Sequence, residues 1–176
     1  MNGFPNVAKH TILVISQQPW DDHFVSKHHY AVTLARRGHR VLFFGPPVET
    51  SRMSVRKVSH AGVALEVVDA PRAAPGLRFM PRPLRNLIEA AWLRRLERLI
   101  SAPVDIVWLF DDSRFYDLRF AGSRLKIFQQ MDLEPDFHSA IAARTCDLAI
   151  GVASTIVARL RQNARRAIHI GHGYAG

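Results

Sequence analysis

The amino-acid sequence predicts an α/β fold, a parallel sheet of about seven strands with helices on both faces. Two observations carry this. Short β-branched and apolar runs alternate along the chain with longer stretches of helical composition, and the first run, Thr11–Ser16 (TILVIS), is continuously apolar rather than alternating. A strand apolar on both sides is buried on both sides, and strands joined by ten or more helical residues pair in parallel through right-handed crossovers.

The elements follow in order. Beyond Ser16 a polar loop leads to a helix over about Val25–Arg37, with apolar positions at Val25, Tyr30, Val32, Leu34 and Ala35 and Gly38 as its stop. Arg40–Gly45 (RVLFFG) is the second strand, ended by Pro46 and Pro47. A loop or hairpin at Ser51–Gly62 precedes the third strand, Ala64–Val68. The segment Ala70–Pro83, rich in proline and arginine, reads as a loop, and a long helix covers roughly Leu84–Ser101. Val104–Phe110 is the fourth strand, a short helix is expected over Arg114–Phe120, and Leu125–Gln129 is the fifth strand. A helix near Asp136–Thr145, strand Asp147–Gly151, helix Ala153–Asn163 and strand Ala167–Gly171 complete the chain. With 176 residues and no internal repeat, residues 1–176 read as a single Rossmann-like domain.

Composition narrows the function classes. The single cysteine, Cys146, excludes an internal disulfide and a cysteine-based zinc cage. No apolar run approaches the roughly 20 residues of a spanning helix, and Met1–Lys9 has no apolar core behind a basic cluster, so a cytoplasmic location is expected. Lys and Arg total 24 against 15 Asp and Glu, a formal charge of +9, which suits an anionic partner such as a phosphorylated substrate, an acidic membrane face or nucleic acid. Nucleic acid is disfavoured, because no aromatic-basic recognition motif or helix-turn-helix spacing is present. The rival to an enzyme is a non-catalytic basic module binding nucleic acid or a small molecule.

Ligands of open parallel sheets sit beyond the carboxyl ends of the strands, so the segments after Ser16, Phe110, Gln129 and Gly151 hold the candidate chemistry. The first loop, Ser16–His23, has no glycine, and no G-x-x-x-x-G-K-[ST] occurs, which argues against a dinucleotide dehydrogenase and a P-loop NTPase. His23, His28 and His29 lie close to Asp21 and Asp22; metal binding is conceivable there, but acidic and polar residues at a helix start are the more ordinary arrangement, and no metal is expected. Asp111 and Asp112 end the fourth strand, one suited to capping and the other open for a hydroxyl or cation. Asp132 follows the fifth strand, placed either as a general base for an acceptor hydroxyl or as an ordinary loop residue, with Glu134 as the substitute. Gly171, His172 and Gly173 close the last strand, either as a tight turn or as part of a site.

These segments, in this order, resemble the N-terminal domain of GT-B glycosyltransferases, particularly bacterial enzymes of exopolysaccharide and capsule assembly. The similarity lies in ILVIS, YAVTLARRGHRVLFF, DIVWLFDD, LKIFQQMD, CDLAIGVASTIVARL and IHIGHG, and covers nearly the whole chain. The first loop departs from it, with Trp20-Asp21-Asp22 where many relatives carry a Gly-Gly pair. The resemblance implies an acceptor-binding lobe, a nucleotide-diphosphate sugar as donor with no other cofactor, and a separate C-terminal donor-binding domain not contained in this chain. It implies Asp132 as the base, with His23, Lys27, Asp112, His172 and Gly173 as acceptor or cleft contacts. A lipid-linked saccharide is the implied acceptor. The long arginine-rich helix, with Arg82, Arg85, Trp92, Arg94 and Arg95, is then a candidate contact to the anionic inner face of the plasma membrane, the alternative being an ordinary sheet-covering helix.

Overall fold

A computed structural model describes residues 8–72, 76–133 and 137–171, the side chains of Arg78 and Phe137 excepted. Within them the chain forms an eight-stranded sheet in the order β3-β4-β2-β1-β5-β6-β7-β8. The strands are β1 (Thr11–Ile15), β2 (Arg40–Phe44), β3 (Ser54–His60), β4 (Val63–Asp69), β5 (Ile106–Leu109), β6 (Leu125–Gln130), β7 (Leu148–Gly151) and β8 (Ala167–His169). Every pairing is parallel except β3 with β4.

The antiparallel β3 is the eighth strand and resolves the loop-or-hairpin alternative at 51–62 in favour of a hairpin. Its turn is Ala61-Gly62, with φ of +49° and +74°, the left-handed pair that suits the right-handed twist of a two-residue connection. At the sheet edge β3 carries Arg56 and Lys57, and charged side chains there discourage pairing with another chain.

Helix α1 (Ser26–Arg36) covers one face and α2 (Arg82–Ile100), α3 (Phe137–Thr145) and α4 (Ser154–Leu160) cover the other. Alternation along the central strands supplies both cores. Ile12, Val14, Val41 and Phe43 pack with Ala31 and Val32 of α1, while Leu13, Ile15, Leu42 and Phe44 pack with Leu93 and Leu96 of α2 and, further along the sheet, Ala142 of α3 and Ile156 of α4 join the same core. Gly38, at φ +88°, ends α1 as its sequence position suggests. Gly151 is needed for packing: a Cβ there would lie 2.9 Å from side-chain carbons of Ile156 and Val157, so α4 rests directly on the end of β7.

The expected helix at 114–120 is absent. Only a 3₁₀ turn, Leu118–Ala121, forms, its start capped by Asp117, whose carboxylate accepts from Arg119 N–H. The residues before it are drawn toward the sheet because Arg114 bonds the strand ends, which denies that stretch a helical path.

Candidate functional site

The order in which strands are added reverses about β1: β2 lies on one side of it and β5 on the other. The carboxyl ends of β1, β5 and β6 therefore border a topological switch point, the place where parallel sheets open to ligands. A crevice of about 240 Å³ opens there, lined by Gln17 and Gln18 after β1, Phe110, Asp112 and Ser113 after β5, and Gln129 to Asp132 at the end of β6. Lys27 of α1 and Ser139 of α3 close its sides.

Arg114 builds the floor. Its Nε donates to Asp111 Oδ2 (2.6 Å), Nη1 to the Gly45 carbonyl (2.9 Å) and Nη2 to the Ser16 carbonyl (2.7 Å), and its guanidinium lies over the Phe44 ring. One planar cation thus ties together the ends of β1, β2 and β5. Asp111 is consumed by this clasp, since its other oxygen accepts from Ser113 N–H and Oγ. Gly45 permits the closure, because a Cβ there would sit 3.1 Å from Pro19 Cα and 3.2 Å from the Gln18 carbonyl oxygen. Asp112 is the member of the pair that faces the crevice, accepting from Ser139 Oγ.

Lys27 is the least expected feature. It is only 7 % exposed, and no hydrogen bond or ion pair joins its ammonium to a described residue. Burial pulls it below the ordinary lysine value, and the negative charges of Asp111 and Asp132 oppose that fall. Beside it, Oε1 of Gln129 and Oε1 of Gln18 are buried without a partner. Buried polar atoms are hydrogen-bonded in the great majority of folds, so these two unsatisfied amide oxygens, beside a buried lysine, mark a wall suited to a polar ligand. Asp132 is exposed at the lip of the same crevice, outside the core and on the carboxyl side of the sheet.

The remaining predicted residues divide. Lys27, Asp112 and Asp132 converge, whereas His23 does not line the crevice: its side chain is 99 % exposed and its Nδ1 meets Asp22. The reason is local, because His28, not His23, turns inward. His28 Nδ1 accepts from Val25 N–H at the start of α1, Nε2 donates to the Pro19 carbonyl, and the ring stacks on Phe24 and Phe43. That histidine is a structural peg held below its usual pKa by burial. Among the described residues no group of three or more His, Cys, Asp or Glu is placed to hold a metal. His172, Gly173 and Glu134 lie outside the described residues.

Sequence reasoning missed Gln129, Gln18 and Arg114. The first two had a signal, being amides at strand tips beside an otherwise apolar run; Arg114 had none short of the fold. On α2, Arg82, Arg94 and Arg95 are exposed, but Arg85 is buried and corrects the expectation of an outward face. Its Nε donates to Glu89 and its guanidinium lies 4.2 Å from the Tyr116 ring centre. Trp92 is half-buried and packs against Phe44 and Phe115. Another hollow, lined by His10, Asp105 and Arg124, lies at the amino ends of the strands, the side of a parallel sheet that ligands do not use.

No family model matches the sequence, and no curated protein matches it. Solved structures do. The α,α-trehalose 6-phosphate synthase of Burkholderia multivorans superposes with a TM-score of 0.53 at 14 % identity, over 88 % of this chain and 42 % of its own. The fold is that of one lobe of a GT-B glycosyltransferase. Acinetobacter baumannii MurG (TM-score 0.44, 12 % identity, 81 % of this chain and 41 % of its own) and a trehalose-6-phosphate structure from E. coli bound with UDP-2-fluoro glucose (0.47, 13 %, 82 % and 40 %) also match. The lobe spans about two-fifths of the length of each of these structures.

Proposed function

We propose that this lobe binds the acceptor of a glycosyl transfer, a sugar passing from a nucleotide-diphosphate sugar to an acceptor hydroxyl. The observation that carries the reading is the convergence of Asp132, Asp112, Lys27 and the Gln129 amide, whose Oε1 has no partner, at the switch point of a GT-B lobe. Carboxylates, amides and a seryl hydroxyl form the hydrogen-bonding set that sugar hydroxyls need, and a largely apolar wall of Phe110, Phe128 and Met131 suits the faces of a pyranose.

In this reading Asp132 accepts the proton of the attacking hydroxyl, while Asp112 and Lys27 orient the neighbouring hydroxyls. An Asp base favours inversion at the anomeric carbon. Lys27 lies beside the carboxylates, whose negative charges oppose the loss of its own proton on burial, so a cation is at hand to orient the acceptor. The leaving diphosphate is stabilised by a second lobe facing this one, and positioning between the two walls supplies a large share of the acceleration. The lobe by itself is then nearly inactive. We place the acceptor among lipid-linked saccharides of polysaccharide assembly, at the cytoplasmic membrane face. Among the described residues no helix is long and apolar enough to cross a membrane, so contact with the bilayer in this reading is peripheral.

The test is Asp132→Ala and Asp132→Asn in the polypeptide that joins this lobe to a donor-binding lobe, with release of nucleoside diphosphate as the readout. Removal of a general base costs on the order of 100-fold or more in kcat. Activity within a few-fold of the parent rejects Asp132 as the base.

A further inference from the structure

Beside the crevice lies a larger cavity, about 670 Å³, which nothing above employs. That volume falls within the roughly 300–1,000 Å³ of small-molecule sites. It runs between the start of α2 and the carboxyl ends of β2 and β4, and Ser113 belongs to its wall as well as to that of the crevice. The two spaces are therefore neighbours across a single residue.

Their linings are opposite in character. The crevice is polar, whereas the cavity is walled by Phe44, Met53, Ile88, Trp92 and Phe115, with the aromatic rings of Phe44, Trp92 and Phe115 in mutual contact. Apolar side chains do not stop at the mouth: Phe79 is exposed, and Leu84, Leu87 and Ile88 of α2 are exposed along one side of the helix. A contiguous exposed apolar stripe opening into a cavity marks a site of interaction. Arg72 and Arg95 also line this space, and no ion pair engages either among the described residues. Deeper in, Glu89 is 3 % exposed and its Oε2 has no hydrogen-bond partner.

This combination selects a class of ligand. An apolar wall alone fits any hydrocarbon, two unengaged guanidinium groups call for an anion, and the shared Ser113 calls for continuity with a sugar. We infer that the cavity seats the hydrocarbon chain of an amphiphilic acceptor whose phosphate lies on Arg72 and Arg95 and whose sugar enters the crevice past Ser113. Glu89 stands where it can share a proton with an oxygen of the linker. The inference rests on the transferase reading for the sugar, but the hydrocarbon and phosphate part is testable without any transfer.

The probe is monomeric farnesyl phosphate, followed by quenching of tryptophan fluorescence, with Trp92 in the cavity wall. Saturable quenching is expected, with at least ten-fold weaker binding in Ile88→Glu and in Arg72→Glu/Arg95→Glu. All three positions have exposed side chains, and far-UV circular dichroism verifies that each variant is folded. Inorganic phosphate at the same concentration is expected to give no quenching, and farnesol much less than its phosphate. Absence of saturation, equal binding by both variants, or equal binding by inorganic phosphate overturns the inference. So does binding of phosphatidylglycerol vesicles that Ile88→Glu abolishes while farnesyl phosphate stays unbound, since the stripe is then a bilayer contact only. In the polypeptide that joins this lobe to a donor-binding lobe, where transfer is read, Asp132→Ala is expected to keep farnesyl phosphate binding while losing transfer. Transfer without prenyl-phosphate binding sinks the cavity assignment alone, and prenyl-phosphate binding without transfer sinks the transferase reading alone.

Discussion

Replacing Arg114 by alanine removes the clasp under the crevice, and the structure permits an estimate of the loss. Three hydrogen bonds of 2.6 to 2.9 Å disappear, one to a carboxylate and two to carbonyls at the ends of different strands. The Asp111 side chain is 2 % exposed and keeps only its bonds to Ser113, so it becomes a buried charge without its cation. Breaking a buried pair by removing one partner costs about 3–5 kcal/mol. Because Arg114 is itself 23 % exposed, water can replace part of what is lost, and the expected destabilisation is about 3 kcal/mol. The measurement is the urea midpoint of wild type, Arg114→Ala and Arg114→Lys at neutral pH, at unchanged m-value. Lysine is expected to recover less than half, since a single ammonium cannot reproduce a planar fork that reaches three acceptors. A loss below about 1 kcal/mol for alanine, or full recovery by lysine, refutes the clasp.

Two further outcomes follow from buried titratable groups. Burial lifts Glu89 from an ordinary 4.5 to about 7, against the opposing pull of Arg85. Between these values the folded chain holds a proton that the unfolded chain has released, so its contribution is present below about pH 4.5 and falls as pH rises toward 7. At about 1.4 kcal/mol per pH unit the loss is roughly 3 kcal/mol, read as a falling urea midpoint across that range and flattened in Glu89→Gln. Cys146 is buried and burial pushes its thiol up to about 11, so it is expected to resist a disulfide reagent at mildly alkaline pH until denaturant is added. Rapid labelling of the native chain contradicts that.

The parts of the fold that sequence reading recovers are those where one physical signal dominates. TILVIS and RVLFF are apolar on both sides and can only be central strands, and Gly38 ends α1 because a left-handed residue is needed there. The strand tips follow from the strands, which is why Asp112 and Asp132 are legible as candidates from their places after β5 and β6. Ser54–His60 carries adjacent charges at Arg56 and Lys57 and turns through Ala61-Gly62 instead of an Asn-Gly signal, so its strand character comes from pairing with β4. Arg85 reads in the sequence as an outward arginine of a surface helix, whereas both it and Glu89 face inward. They are buried because they continue the stripe of Leu93, Leu96 and Ile100 at helical spacing and neutralise each other inside it. His23 and His28 look alike in the sequence, and it is the aromatic surroundings of Phe24 and Phe43 that draw His28 inward. No local pattern reveals Arg114, whose three partners are 3, 69 and 98 residues away.

The outer hairpin is tied to the working end of the lobe through Arg56 and His60. Arg56 of β3 reaches both Asp69 at the end of β4 and Asp21 in the loop that follows β1. That loop begins with the two glutamines of the crevice. At the other end of β3, next to the turn, His60 stacks on Phe24 with ring centres 4.0 Å apart, which holds the hairpin to the same stretch of chain a second time. Grafted or lengthened hairpins that retain both Arg56 and His60 keep the first loop where it is, and those that drop them release the loop from the edge of the sheet.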